Sequence, residues 1–114
     1  MHELGLTQSI VDIAVEHAKK NNASKILKVN VTIGDMMSVI EDSMQFYFEY
    51  LTKDTIAGGS KLEIDHVPIS IRCANCKEES RVTEFEIYTC PRCGSLAVEL
   101  LSGKEFYVDS IEIE

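Results

Sequence analysis

An α+β fold, two helices packed on a small mixed β-sheet with an inserted ribbon module, is predicted by three observations on this sequence. Apolar residues recur at helical spacing over 6–20 and again over 41–52. They alternate with polar residues around 27–33, 61–71 and 106–113, as half-buried strands do. All four cysteines fall in one stretch, Cys73-Ala-Asn-Cys76 and, thirteen residues later, Cys90-Pro-Arg-Cys93-Gly94. With 114 residues the chain can bury one modest core and a small metal-stapled module, but not two ordinary domains.

In chain order, Leu6, Ile10, Ile13, Ala14 and His17 form one stripe of a first helix. Lys19 and Lys20 suit its negative C-terminal end, and Asn21-Asn22 stops it. A strand follows, with Leu27, Val29, Val31 and Ile33 on the inner face and Lys28, Asn30 and Thr32 in water; Gly34-Asp35 closes it. The second helix, 41–52, carries Ile40, Met44, Tyr47, Phe48 and Leu51 on one side and acidic Glu41 and Asp42 in its first turn. The aromatic group Phe46, Tyr47, Phe48 and Tyr50 reads as core. Gly58-Gly59 turns the chain into a strand whose phase slips at His66: Leu62 and Ile64 are inward before it, Val67, Ile69 and Ile71 after it. Pro68 cannot donate a ladder bond, so a bulge or an edge position is expected there. The last strand, Phe106 and Val108 then Ile111 and Ile113, has its own phase slip near Asp109. The main domain is therefore expected at 1–68 plus 104–114, with the ribbon, 69–103, inserted before the last strand.

Two C-x-x-C knuckles at this spacing can surround one ion with four thiolates, which closes a tetrahedral shell and leaves no position for substrate. Structural Zn(II) on Cys73, Cys76, Cys90 and Cys93 is the expected use. Two disulfides would need an oxidising compartment. The chain starts with polar Glu3, Thr7, Gln8 and Ser9, which is no secretion signal, and no uncharged run approaches a membrane span, so a cytoplasmic protein is expected. An alternative use of the same cysteines is rubredoxin-like iron in an electron carrier, since C-P-x-C-G is common to both; another is a ribbon-type interaction module. A nucleic-acid partner is disfavoured. Net charge is −8, and in the ribbon Arg72, Lys77, Arg81 and Arg92 are cancelled by Glu78, Glu79, Glu84 and Glu86.

The amino terminus offers a second metal-capable group. In Met1-His2-Glu3, the Met1 amine, the His2 backbone nitrogen and the His2 imidazole can close two fused chelate rings on one ion. The Glu3 backbone nitrogen or carboxylate can supply a fourth donor. Planar nitrogen donation suits nickel(II) or copper(II) and is a poor match to tetrahedral zinc. From these residues alone, a flexible terminal histidine is the blander reading.

Met1-His2-Glu3-Leu4, Ile33-Gly34-Asp35, Glu41, Phe46-x-Phe48-Glu49, both cysteine knuckles and the ending Gly103-x-Glu105-Phe106-x-Val108-x-Ser110-Ile111 together resemble the HypA/HybF family of hydrogenase maturation nickel metallochaperones. The resemblance runs the length of the chain in order. It implies transient Ni(II) at Met1, His2 and near Glu3 in a nickel-binding α+β domain, and structural zinc on the four cysteines. It also implies delivery to [NiFe]-hydrogenase, with a HypB-type GTPase and the hydrogenase large subunit as partners. A monomer or weak dimer is expected, with neither nucleic acid nor membrane as partner.

The other candidates read as structural. His17 lies on the apolar stripe and reads as packed or half-buried; His66, at the phase slip, reads as structural although close to the ribbon. Met36 and Met37, adjacent on a turn, share no face and read as packing. No nucleophile–base pair, paired carboxylates in a recognisable catalytic setting or phosphate-binding glycine loop is found, so no enzyme is expected.

Overall fold

The computed structural model describes residues 3–83 and 86–114. Along them run α1 (Glu3–Lys20), β1 (Ile26–Gly34), a short 3-10 turn (Asp35–Met37) and α2 (Glu41–Thr52). Then follow β2 (Lys61–Val67), β3 (Ser70–Cys73), β4 (Glu79–Arg81), β5 (Val98–Ser102) and β6 (Phe106–Ile113). The described strands form two three-stranded sheets, ordered β2-β1-β6 and β4-β3-β5. Two helices with small sheets is thus the observed architecture. The chain divides into two compact units, one from the segments up to Thr32, Val39–Asp65 and Tyr107–Glu114, the other from Ile33–Ser38 and His66–Phe106.

In the first unit α1 packs against α2. Its buried face is Glu3, Thr7, Ile10, Val11, Ala14 and Ala18, at i, i+4, i+7, i+8, i+11 and i+15. This corrects the expected stripe: Ile13 and His17 are exposed. Ile10 and Ala14 of that stripe are buried, and Thr7, Val11 and Ala18 join them; the Thr7 hydroxyl donates to the Glu3 carbonyl at 2.6 Å and so can be buried. In β1, Val29, Val31 and Ile33 face inward as expected, but Ile26 is buried and Leu27 is 41% exposed. The Ile26 N–H donates to the Ile56 carbonyl at 2.8 Å, which ties the strand's first residue to the segment before β2.

The second helix runs over the expected residues and buries Met44, Phe48 and Thr52. The aromatic group is not all core: Phe48 is 3% exposed, Phe46 65% and Tyr50 63%. Residues two apart on a helix lie on nearly opposite sides, so burying 44 and 48 turns 46 and 50 out. Ile40, expected on the inner side, is exposed as well.

β6 runs antiparallel to β1. Ser24 N–H donates to the Glu114 carbonyl at 2.9 Å, and Glu114 N–H to the Lys25 carbonyl at 2.8 Å. Further along, Asn30 Nδ2 donates to Ser110 Oγ at 3.0 Å and Thr32 Oγ1 to Asp109 Oδ2 at 2.6 Å. Alternate residues of β1 thus meet consecutive residues of β6, which is the bulge that the slip near Asp109 announces.

In the second unit β3 pairs antiparallel with both β4 and β5, placing Arg72 opposite Glu79 and Glu99. Pro68 lies between β2 and β3, where the chain changes sheets, and the irregularity expected near it follows at once: the register of β3 against β5 shifts between Ser70 and Ile71. Gly34 N–H donates to the Glu105 carbonyl and Met36 N–H to the Gly103 carbonyl. The Gly34 and Gly103 backbones approach so closely that a Cβ on Gly34 would run into the Gly103 carbonyl. Gly103 itself has φ +119°. No helix among the described residues is long and apolar enough to cross a membrane.

Candidate metal centre

Each knuckle is a tight turn closed by its own backbone. Lys77 N–H donates to the Cys73 carbonyl at 2.9 Å and Gly94 N–H to the Cys90 carbonyl at 2.8 Å. The closing residue takes a left-handed conformation both times, φ 65° at Lys77 and 73° at Gly94. Gly94 is legible in sequence; Lys77 in that conformation is not. β3 delivers Cys73, and the Cys73 N–H bond to the Glu78 carbonyl at 3.0 Å fixes the first turn at the head of the sheet.

These turns bring four sulfurs together. All four Sγ atoms lie within 4.8 Å of one another, with Cys73–Cys93 at 3.6 Å and Cys76–Cys90 at 3.7 Å. A tetrahedron of thiolates about 2.3 Å from a central zinc has edges of roughly 3.8 Å, so these two separations fit a four-sulfur metal shell. The cysteines are free thiols rather than disulfides.

The surroundings favour thiolate. The Cys76 N–H points at Cys73 Sγ at 3.4 Å and, with other donors, holds the Cys73 thiol down at about 6. Cys90 is lowered too, chiefly by the Cys93 backbone N–H and then, after some opposition from burial, by Arg92, whose N–H lies 3.4 Å from its sulfur. At Cys76 the Glu78 backbone N–H pulls the thiol down, but burial and the neighbouring sulfurs outweigh it and push it up to about 11. A cluster in which backbone N–H donors lower two of the thiols, with the other sulfurs at contact distance, is arranged to accept a dication. Asn75 adds an amide donor 3.8 Å from Cys93 Sγ, a partner that sequence spacing did not single out.

Among the described residues, this cluster is the only group of three or more Cys, His, Asp or Glu side chains whose ligand atoms could share an ion. His66 stands apart, its Nδ1 3.9 Å from Asp35 Oδ1. His17 lines an exposed groove between α1 and β6. Met36 and Met37 are half-buried on the 3-10 turn. Met1 and His2 lie outside the described residues. Glu3 is 6% exposed, and its Oε2 accepts the Ile40 N–H at 3.3 Å, joining the first turn of α1 to the start of α2.

A family profile described as "Hydrogenase/urease nickel incorporation, metallochaperone, hypA" matches residues 1–113. The hydrogenase maturation factor HypA of Caldanaerobacter subterraneus subsp. tengcongensis is 40% identical over 115 residues, covering all of both chains. That of Dehalococcoides mccartyi strain CBDB1 is 34% identical over 114 residues, covering 100% of this chain and 95% of its own. The solution structure of the Ni metallochaperone HypA from Helicobacter pylori superposes with a TM-score of 0.65 at 27% identity, over 99% of this chain and 97% of that one.

Proposed function

The chain belongs to the HypA family of hydrogenase maturation factors, and from that premise we propose that it carries Ni(II) to a [NiFe]-hydrogenase and keeps a separate, structural Zn(II). Nickel is cargo. It is held by the Met1 amine and by the His2 amide and imidazole, with Glu3 completing or supporting the set. Few ligands at a chain end leave open directions from which an acceptor's ligands can displace the ion. The burial of Glu3 and its carboxylate's bond to the Ile40 N–H support a fixed position for Glu3 itself in this proposed set.

Zinc stays. Four thiolates on Cys73, Cys76, Cys90 and Cys93 would close its shell, and the ion would supply architecture rather than Lewis-acid chemistry. The observation that carries this half of the reading is the match between the sulfur separations and the tetrahedral edge. Nickel-binding residues in the α+β part and zinc-binding residues in the ribbon, 69–103, divide the labour between segments. No catalytic residue is assigned.

The family's role supports a HypB-type GTPase and the hydrogenase large subunit as partners, and four free thiols support residence in the reducing cytoplasm. The test is complementation. A strain lacking this chain should lose hydrogenase activity and regain it with the wild-type chain or with excess nickel. The His2→Ala variant should fail to restore activity at low nickel. Full rescue by that variant at low nickel would refute nickel delivery from the terminus.

A further inference from the structure

Among the described strands, the sheet of the first unit ends on β6, whose edge past the bulge near Asp109 carries neither lysine nor proline. Exposed edge strands are commonly protected by lysine or proline, which discourage a further strand from pairing. Residues 105–114 contain neither; they carry four acidic residues and no basic one. Both backbone bonds of Glu114 go to the chain entering β1, N–H to Lys25 and carbonyl from Ser24. The alternation of an antiparallel ladder therefore turns the amides of Ile113 and Ile111 the other way, off the sheet.

Beside this edge runs a groove of about 420 Å³ between β6 and α1. Its apolar lining includes Ile13, Ala14, Val108, Ile111 and Ile113, with His17 at the wall. Ile13 and Ile113 are each more than a third exposed. The opposite face of β6 is polar and acidic: Asp109 and Ser110 bond to Thr32 and Asn30, and Glu112 lies 3.9 Å from Lys28. A strand laid along this edge would meet isoleucine and valine on one face and carboxylates on the other.

We infer that β6 is a docking edge for an extended segment of a partner protein, added as a fourth strand, with apolar residues alternating with lysine or arginine. Apolar side chains would enter the groove against Ile13, Ile111 and Ile113, while the basic ones would meet Asp109 and Glu112. Charge sets the occupant. A second copy pairing through its own β6 would bring these acids against their like, so the partner is a basic segment and not this chain. The inference is independent of where nickel binds.

The test uses the full chain and an acetylated heptapeptide alternating lysine and valine, Lys at both ends, followed by fluorescence anisotropy and amide hydrogen exchange. Binding should slow exchange at Ile111 and Ile113, and the analogue with glutamate for lysine should not bind. Two further analogues carry N-methyl groups on either the valine or the lysine amides. Only one set faces the ladder, so one analogue, having lost two or more ladder hydrogen bonds, should bind ~10-fold more weakly, and the other should bind normally. Equal behaviour of the two analogues, or binding without protection of β6 amides, overturns the inference. So does absence of binding, or a chain that dimerises through β6 and excludes the peptide.

Discussion

Removing one zinc ligand should unfold one unit and spare the other. In the unit formed by Ile33–Ser38 and His66–Phe106, the buried aliphatic side chains among the described residues are Ile33, Ile69 and Ile71. At ~1.5–3 kcal/mol each they contribute about 5–9 kcal/mol, while ordering backbone costs ~1–2 kcal/mol per residue. A structural zinc on cysteine ligands contributes ~10–16 kcal/mol near neutral pH, more than that whole aliphatic set. On the proposed zinc assignment, the ribbon's fold should depend on the metal. Loss of a group that merely supports a ligand weakens metal binding ~10–100-fold, so Cys73→Ser, which removes a ligand itself, should weaken zinc binding by more than ~100-fold. Amide spectra of the zinc-stripped protein, or of this variant, should lose dispersion across 66–106. Amides of α1, β1 and α2 should keep it, since that unit buries Ile10, Val11, Val29, Val31, Met44 and Phe48 without help from a metal. Ribbon amides that stay dispersed after chelation would refute the reasoning.

Three other outcomes follow from the same structure. Phe48→Ala should lower unfolding free energy by ~3–5 kcal/mol and Phe46→Ala by less than ~0.5 kcal/mol, measured by urea denaturation, because one side chain is buried and the other is in water. Gly34→Ala should destabilise by ~1–3 kcal/mol or more in the same assay, since the added methyl meets the Gly103 carbonyl, which is backbone and cannot swing away. Acid should separate the two metals. Cys73 is lowered to about 6 before any ion is counted, so it is already thiolate above that pH, and a bound dication shifts it further down. The imidazole of His2 must be neutral to bind, so nickel should leave as pH falls through roughly 6–7. Metal release followed colorimetrically near pH 6 should show nickel lost and zinc retained; zinc leaving first would contradict the assignment.

What could be read in the sequence was what depends on spacing alone. Two C-x-x-C pairs require two turns, and the structure closes both and gathers the sulfurs. The bulge near Asp109 was visible because a slip in a period-two pattern has few other causes. The rotation of a helix about its own axis was less legible. Ile10 and Ala14 of the expected stripe are buried, but Ile13 and His17 are exposed, and α1 turns Thr7, Val11 and Ala18 inward in their place. The same blindness made Phe46 and Tyr50 core: composition does not reveal which of two opposite faces is covered. Pairings between distant residues, such as Glu3 with Ile40 or Asn75 with Cys93, leave no periodic trace at all.

On the proposed assignment, the leading nitrogens of the chain hold nickel and the cysteine sulfurs do not. Calorimetric nickel titration of the zinc-loaded protein with its native start, beside the same protein with two residues added before Met1, tests this most directly. One nickel should bind the native start, and none should bind the extended form, while zinc content and the amide spectrum stay the same. Undiminished nickel binding by the extended protein would contradict the account.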